Sequence, residues 1–420
     1  MELKPACYDQ VTKMQQKGVD IPNPLTIDVG KEVDTNRISG DGVRIYPGCR
    51  IYGDTTVICA GAQIGYEGPA TIDNCQVGPE VALKGGYFSK SVFLDKANMG
   101  LGAQVREGCI LEEEANGAHC VGLKQTILFP FVTLGSLINF CDCLMSGGTS
   151  RKDHSEVGSS YIHFNFTPDG NKTTASLIGD VARGVMLNQP PIFLGGQGGV
   201  VGPLRMGFGN VVAAGSILRK DAAADRKLII GKTHNGAVMD FTPHTYNNLP
   251  RVVGNNILYL ANLAALAQWY VHVRKTFFSA REFGELMYAG ALDKLQLAAK
   301  ERIKRLKAMV GSIPVTHEKC SCRSRAETRK CELHDNIDTV CELFEGRPEQ
   351  KPGTRQRDAF LSAFQHYLQE GDAEYIRAVQ GMPPDVSQLG VAWLQQTVDD
   401  LCRKAASVLE SLGMFKKIVH

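Results

Sequence analysis

The sequence predicts a three-sided parallel β-helix followed by an α-helical region. Two observations carry this. Aliphatic residues recur every six positions at Ile45, Ile51 and Val57, at Met99, Val105 and Leu111, and at Met206, Val212 and Leu218, with Gly, Asp and small residues between them. After Asp221 the spacing changes to the 3.6-residue period of a helix, as in Leu292, Leu295, Ala299, Ile303, Leu306 and Val310. The 44 glycines among 420 residues fit a chain of many tight turns.

In chain order, residues 1–24 are expected to form a helical lead-in, 25–222 the β-helix, 223–250 a linker and 251–420 a helical domain. Each hexad supplies one short strand and one turn, and three hexads close a triangular coil. The inward aliphatic residue of each side stacks on its equivalent one coil later, about 4.8 Å away. Sandwich strands would alternate with period two instead. Residues 112–120 (EEEANGAHC), 146–156 (SGGTSRKDHSE) and 165–172 (NFTPDGNK) break the beat and are expected to be loops leaving the prism. In the helical part, Lys300, Arg302, Lys304, Arg305 and Lys307 fall opposite the aliphatic stripe. They are expected to be a solvated basic face and not a nucleic-acid site, since no aromatic residues interleave with them. The segments Asp358 to Met382 and Asp385 to Met414 read as helices separated by Pro383 and Pro384.

Balanced charge, 46 Lys+Arg against 44 Asp+Glu, argues against a whole-chain attraction to nucleic acid or acidic membrane. The run Ile257 to Val273 is interrupted by Asn262 and Gln268 and is too short for a bilayer span of about 20 residues, so a buried helix is expected. Thirteen scattered cysteines and the start MELKPACYDQ support neither a disulfide scaffold nor a signal peptide. A cytoplasmic protein is expected.

Arg106 and Lys124 lie 18 positions apart, three hexads, so an undistorted prism sets them on one side in successive coils. Two adjacent cations are costly unless an anion lies between them. A phosphate suits the pair, with a guanidinium giving directional donors and an ammonium acting as a point charge. The alternatives are two solvated residues or an ion pair with Glu107 or Glu112. In the helical domain, Cys320, Cys322, Cys331 and His334 have a C-x-C-x8-C-x2-H spacing that would close a tetrahedral Zn site; the alternative is small buried thiols.

The stretch from Gln16 to Asp221 resembles the C-terminal left-handed β-helix of the bifunctional bacterial N-acetylglucosamine-1-phosphate uridyltransferase/glucosamine-1-phosphate acetyltransferases. AQVREG (103–108) followed by GLK (122–124) resembles that family's arginine and lysine segment. EVG (156–158), NFTPDGNK (165–172), IGDV (178–181) and AAGSILRKD (213–221) then resemble, in order, its acetyl-CoA-binding end. The resemblance implies a left-handed winding, a homotrimer, a phosphorylated or nucleotide-linked amino sugar as partner, and acetyl-CoA or another acyl-CoA as donor. It implies that Arg106 and Lys124 hold the sugar phosphate. It also assigns Asn165 and Lys172 to the substrate, and Phe166, in place of a tyrosine, and Ala214 to the coenzyme side.

The sequence departs from the family in two respects. The uridyltransferase half has no counterpart, and no GxGxxG or Walker-type segment occurs, so pyrophosphorylase chemistry is not expected. The family's catalytic histidine falls at Ser136 and its tyrosine at Asn139. A serine hydroxyl needs a base of its own. His154 and His163, together with His119, are the candidate replacements. Two functions follow: an acyltransferase of the hexapeptide-repeat type, or a non-catalytic binding or scaffold protein that kept its anion site and lost its base.

Overall fold

The computed structural model describes residues 5–164, 171–231, 236, 238, 240–315, 324–346, 354–369 and 374–415. A helix, α1 (Tyr8–Lys17), buries Val11 and Met14 and leads into the expected β-solenoid of about 11 turns. The rungs pair in parallel with those of the neighbouring coils, the terminal rungs on one side only. The first face runs from Arg44–Ile45 through Asn98–Met99 and Thr133–Leu134 to Leu228–Ile229. The second runs from Asp28–Val29 through Ala103–Val105 to Ile217–Leu218, and the third from Val57–Ile58 through Ile110–Leu111 to Arg205–Met206. The last rung therefore lies beyond residue 222.

The faces differ in what they show to the outside. On the first, Arg44 and Gln63 are exposed while Ile45 and Ile64 are buried, the pattern of a sheet with one wet side. On the third, both residues of Val57–Ile58, Val92–Phe93 and Ile110–Leu111 are buried. The register pairs Val57 with Gln76 and Ile58 with Val77, so Ile58 is the inward residue and Val57 points out. The hexad count therefore slips by one at this position, and Val57 packs under a helix instead of filling the prism.

What covers the third face is the helical region. It comprises α3 (Leu249–Trp269), a π-helical turn (Tyr270–Arg274), α4 (Lys275–Phe278), α5 (Gly284–Ser312), α6 (Arg325–Glu342), α7 (Arg355–Leu368), α8 (Tyr375–Gln380) and α9 (Pro384–Val408). The run Ile257 to Val273 is buried protein core, and no helix among the described residues is long and apolar enough to cross a membrane. Helix α5 lies against the third face; a Cβ on Gly290 would come within 2.4 Å of Gln76 Oε1. The short helix α2 (Val181–Gly184), in an insertion that the repeat analysis did not anticipate, packs on α3 and α9.

Two expectations are corrected by this packing. Residues 112–120 are not a loop leaving the prism, because Asn116–Gly117 is a regular rung of the first face. Glu112 and Glu113 are buried at 2% and 4% exposure. They form the edge between the third and first faces, where Arg274 pairs with both and Tyr270 Oη donates to Glu112 Oε1 at 2.5 Å. The second correction concerns Arg302, which is 2% exposed and not part of a solvated face. Its guanidinium pairs with Asp142 at 2.7 Å and donates to the Lys172 carbonyl at 2.9 Å. Of the stretch 146–156, the hairpin of Gly148–Ser150 and Asp153–His154 does leave the prism, whereas Ser146 and Ser155 are buried and Glu156 belongs to a first-face rung.

Candidate active site on the open face of the prism

Among the described residues, no helix packs on the second face. Its outward residues Gln104, Gly122 and Asn139 stack in register over three coils, with Gln104 and Asn139 exposed. Gly122 leaves a shallow dip, since a Cβ there would meet nothing nearer than Asn139 Oδ1 at 3.7 Å.

One edge of this face leads to the third. The register pairs Val105 with Leu123, and Arg106 N donates to Leu123 O at 2.8 Å, so Arg106 and Lys124 occupy equivalent positions in successive coils, as their spacing predicts. Arg106 is exposed and Lys124 half-buried. Lys124 Nζ lies 2.8 Å from Glu107 Oε1. Partial burial of Glu107 disfavours its charge more than any one neighbour favours it, but the hydrogen bond from Lys124, a backbone hydrogen bond and the charges of Lys124 and Arg106 together hold the carboxyl below its ordinary range. One cation of the pair thus already has an anion, and Arg106 is the more available of the two. Cys141 is next in the stack; burial and then Asp142 raise its thiol despite both cations, so it is not an activated nucleophile. Beyond Lys124 a groove of about 420 Å³ opens toward Lys300, Lys304 and Arg305 of α5.

The other edge leads back to the first face. There Ser136 Oγ lies 2.8 Å from His119 Nδ1. The coils are 17 residues apart at this point, as the pairing of Asn116 with Thr133 shows, so His119 sits directly over Ser136. An 18-residue count sets Leu137 there instead, and for that reason the contact was not legible from the hexads. With Nδ1 protonated, the imidazole donates to Ser136 Oγ and keeps a lone pair on Nε2. Ser136 N in turn donates to Ser159 Oγ at 3.2 Å.

Arg106, Lys124, Asn139 and Ser136 thus border one open face, with His119 added. The other expected residues lie elsewhere. His154 is in the hairpin at the opposite edge of the prism, with Nδ1 on the Arg151 carbonyl at 2.9 Å and Nε2 3.8 Å from Glu156. His163 points into the prism, 4% exposed, with Nε2 2.8 Å from Ser176 Oγ. Desolvation lowers its pKa to about 4, and as an enclosed, hydrogen-bonded core residue it offers no route to a substrate. Lys172 is exposed on the same edge as Lys124 but later in the prism. Ala214 is on the His119–Ser136 edge, where a Cβ on Gly195 would come within 2.4 Å of Ala214 N; close coil stacking accounts for the small residues. Asn165, Phe166, Cys320 and Cys322 lie outside the described residues. Cys331 is buried and His334 exposed on α6, and no group of three metal-ligating side chains occurs among the described residues.

No protein-family model matches the chain. The curated proteins it resembles include the bifunctional protein GlmU of Thermotoga maritima, 28% identical over 213 residues, 50% of this chain and 42% of that protein. The same-named protein of Pelobacter propionicus is 28% identical over 203 residues, 48% of this chain and 39% of the relative. That of Staphylococcus haemolyticus is 29% identical over 203 residues, 48% and 40%. The chain spans about two fifths of the length of these curated relatives. Over half of its length, then, it is a distant relative of the bifunctional protein GlmU.

Proposed function

We propose that the chain binds a phosphorylated or nucleotide-linked amino sugar across the second face and transfers to it an acyl group from acyl-CoA. The observation that carries this reading is the arrangement of that face: a cationic edge at Arg106 and Lys124, exposed Asn139 between, and the His119–Ser136 pair on the far edge. A sugar phosphate lying across it meets cations at the phosphate and an imidazole at the amine. His119 Nε2 takes the proton as the amine attacks the thioester carbonyl, the C–S bond breaks, and the coenzyme leaves as a thiolate that is then protonated. Ser136 holds the imidazole in the tautomer this requires. The same reading makes the protein a cytoplasmic homotrimer with the acyl-CoA along the edge that carries Ala214.

The test is acetyl transfer from acetyl-CoA to hexosamine phosphates and then to nucleotide amino sugars. His119→Asn is expected to lower kcat by about 10²- to 10⁴-fold with KM little changed. No turnover together with no coenzyme binding ends the proposal. A second reading, a binding protein without catalysis, follows if Ser136 replaces the family's histidine, as the sequence resemblance implies. In that case a sugar phosphate raises the melting temperature and acetyl-CoA does not.

A further inference from the structure

A second cavity, of about 260 Å³, lies where the late coils of the prism meet the start of α3. Its walls are Val201 and Pro203 from the prism and Val252 from the helix, and Arg219 and Arg251 line it from opposite elements. Among the described residues, no carboxylate side chain lines the cavity. Arg219 is exposed on the edge after Ile217–Leu218. Arg251 is held from behind, with Nη2 donating to the Pro203 carbonyl at 2.7 Å and to Asp221 Oδ1 at 3.3 Å. That leaves Arg251 Nε enclosed with no acceptor among the described residues, a donor that a buried site is expected to satisfy.

We propose that this cavity is a binding site for a small organic anion, a phosphate monoester or carboxylate. Its charged end meets the two guanidinium groups and its body lies on Val201, Pro203 and Val252. Guanidinium groups match the planar, forked acceptors of such anions, and an apolar wall selects against the bare ion, which stays better hydrated in bulk water. The volume accommodates a ring carrying one anionic substituent. The site is separate from the proposed transfer site, since it lies several coils beyond Lys124 and none of its lining residues belongs to the second-face group.

The test is isothermal titration of the full chain with phenyl phosphate, benzoate, inorganic phosphate and neutral phenol. One or both organic anions are expected to bind, phenol and inorganic phosphate much more weakly. Arg219→Glu is expected to weaken organic-anion binding by about tenfold or more, and Arg219→Ala by less. Arg106→Ala is expected to leave it unchanged. No organic-anion binding by the wild-type chain, or equal binding by Arg219→Glu, overturns the proposal. Inorganic phosphate binding as tightly as phenyl phosphate overturns the assigned ligand class, and a matching loss in Arg106→Ala overturns the separation of the two sites.

Discussion

Replacing Arg274 by Met tests what fastens the helical region to the prism. Arg274 is 2% exposed and sits between Glu112 and Glu113, with its guanidinium carbon 3.9 Å from the centroid of the Tyr375 ring. The π-helical turn brings Tyr270 and Arg274 to the same pair of carboxylates. Methionine keeps much of the apolar contact and removes the charge, leaving Glu113 enclosed without a counter-ion. Breaking a buried pair in this way costs about 3–5 kcal/mol. Burial already pushes the pKa of Glu112 up to about 7, with Glu113 adding to the rise and Arg274 opposing it. For a carboxyl whose folded pKa is raised, the folded state binds more protons, so its contribution to stability falls as pH rises from the unfolded value toward about 7. The Arg274→Met deficit is therefore expected to be largest near pH 8 and smaller near pH 5, where Glu112 is protonated and no longer adds a second negative charge beside Glu113. Urea unfolding read by tryptophan fluorescence is the assay, because both tryptophans, Trp269 and Trp393, are buried in the helical region. Adding Glu113→Gln is expected to restore part of the loss. A deficit below about 1 kcal/mol at pH 8, or one that does not change with pH, refutes the argument.

The Asp142–Arg302 pair fastens α5 in the same manner. Arg302→Met strands Asp142, whose carboxyl burial already raises, and is expected to cost about 3–5 kcal/mol in urea unfolding, while the double change with Asp142→Asn costs less. In the prism, Gly86 has φ +136° and a Cβ there would come within 2.1 Å of the Ala103 carbonyl oxygen, whereas Gly215, with φ +74°, has nothing within 4 Å. Gly86→Ala is expected to lower the melting temperature well beyond Gly215→Ala, whose cost is the left-handed backbone alone, about 1–2 kcal/mol; equal shifts would mean that the coils do not stack as described.

The prism was legible in the sequence because each coil repeats one inward aliphatic residue, a signal that survives insertions such as the 146–156 hairpin. What closes the prism was less legible. Glu112 and Glu113 read as part of a loop leaving the prism because their counter-ion, Arg274, is about 160 residues downstream. Arg302 read as one of five basic residues on an outer face because its partner Asp142 is equally remote. The site was legible in half: the 18-residue spacing found Arg106 and Lys124, and a change to 17 residues hid the contact of His119 with Ser136.

One unused signal was local. The third-face rungs Val92–Phe93, Ile110–Leu111 and Leu144–Met145 carry two adjacent aliphatic or aromatic residues, and first-face rungs such as Gln63–Ile64, Asn98–Met99 and Glu156–Val157 carry one. A strand apolar on both sides must be covered on both sides. Most third-face rungs therefore announce a lid, and the helical region is that lid, although Gln76–Val77 and Arg205–Met206 lack the signal and the late first-face rungs Phe193–Leu194 and Val211–Val212 carry it while their outward residues stay exposed. Once the third face is closed, chemistry that depends on several coils must use the second or the first. The second holds the cations, the exposed asparagine and the imidazole. On the first face the outward residues change along the prism, from Arg44, Gln63 and Asn98 to Phe193, Val211 and Leu228, the last three 40%, 43% and 69% exposed. The early coils thus keep a polar outer wall on the sides that stay open to solvent, and the site proposed here lies in the middle coils, flanked on one side by α5 and on the other by an edge of glycine, alanine and serine.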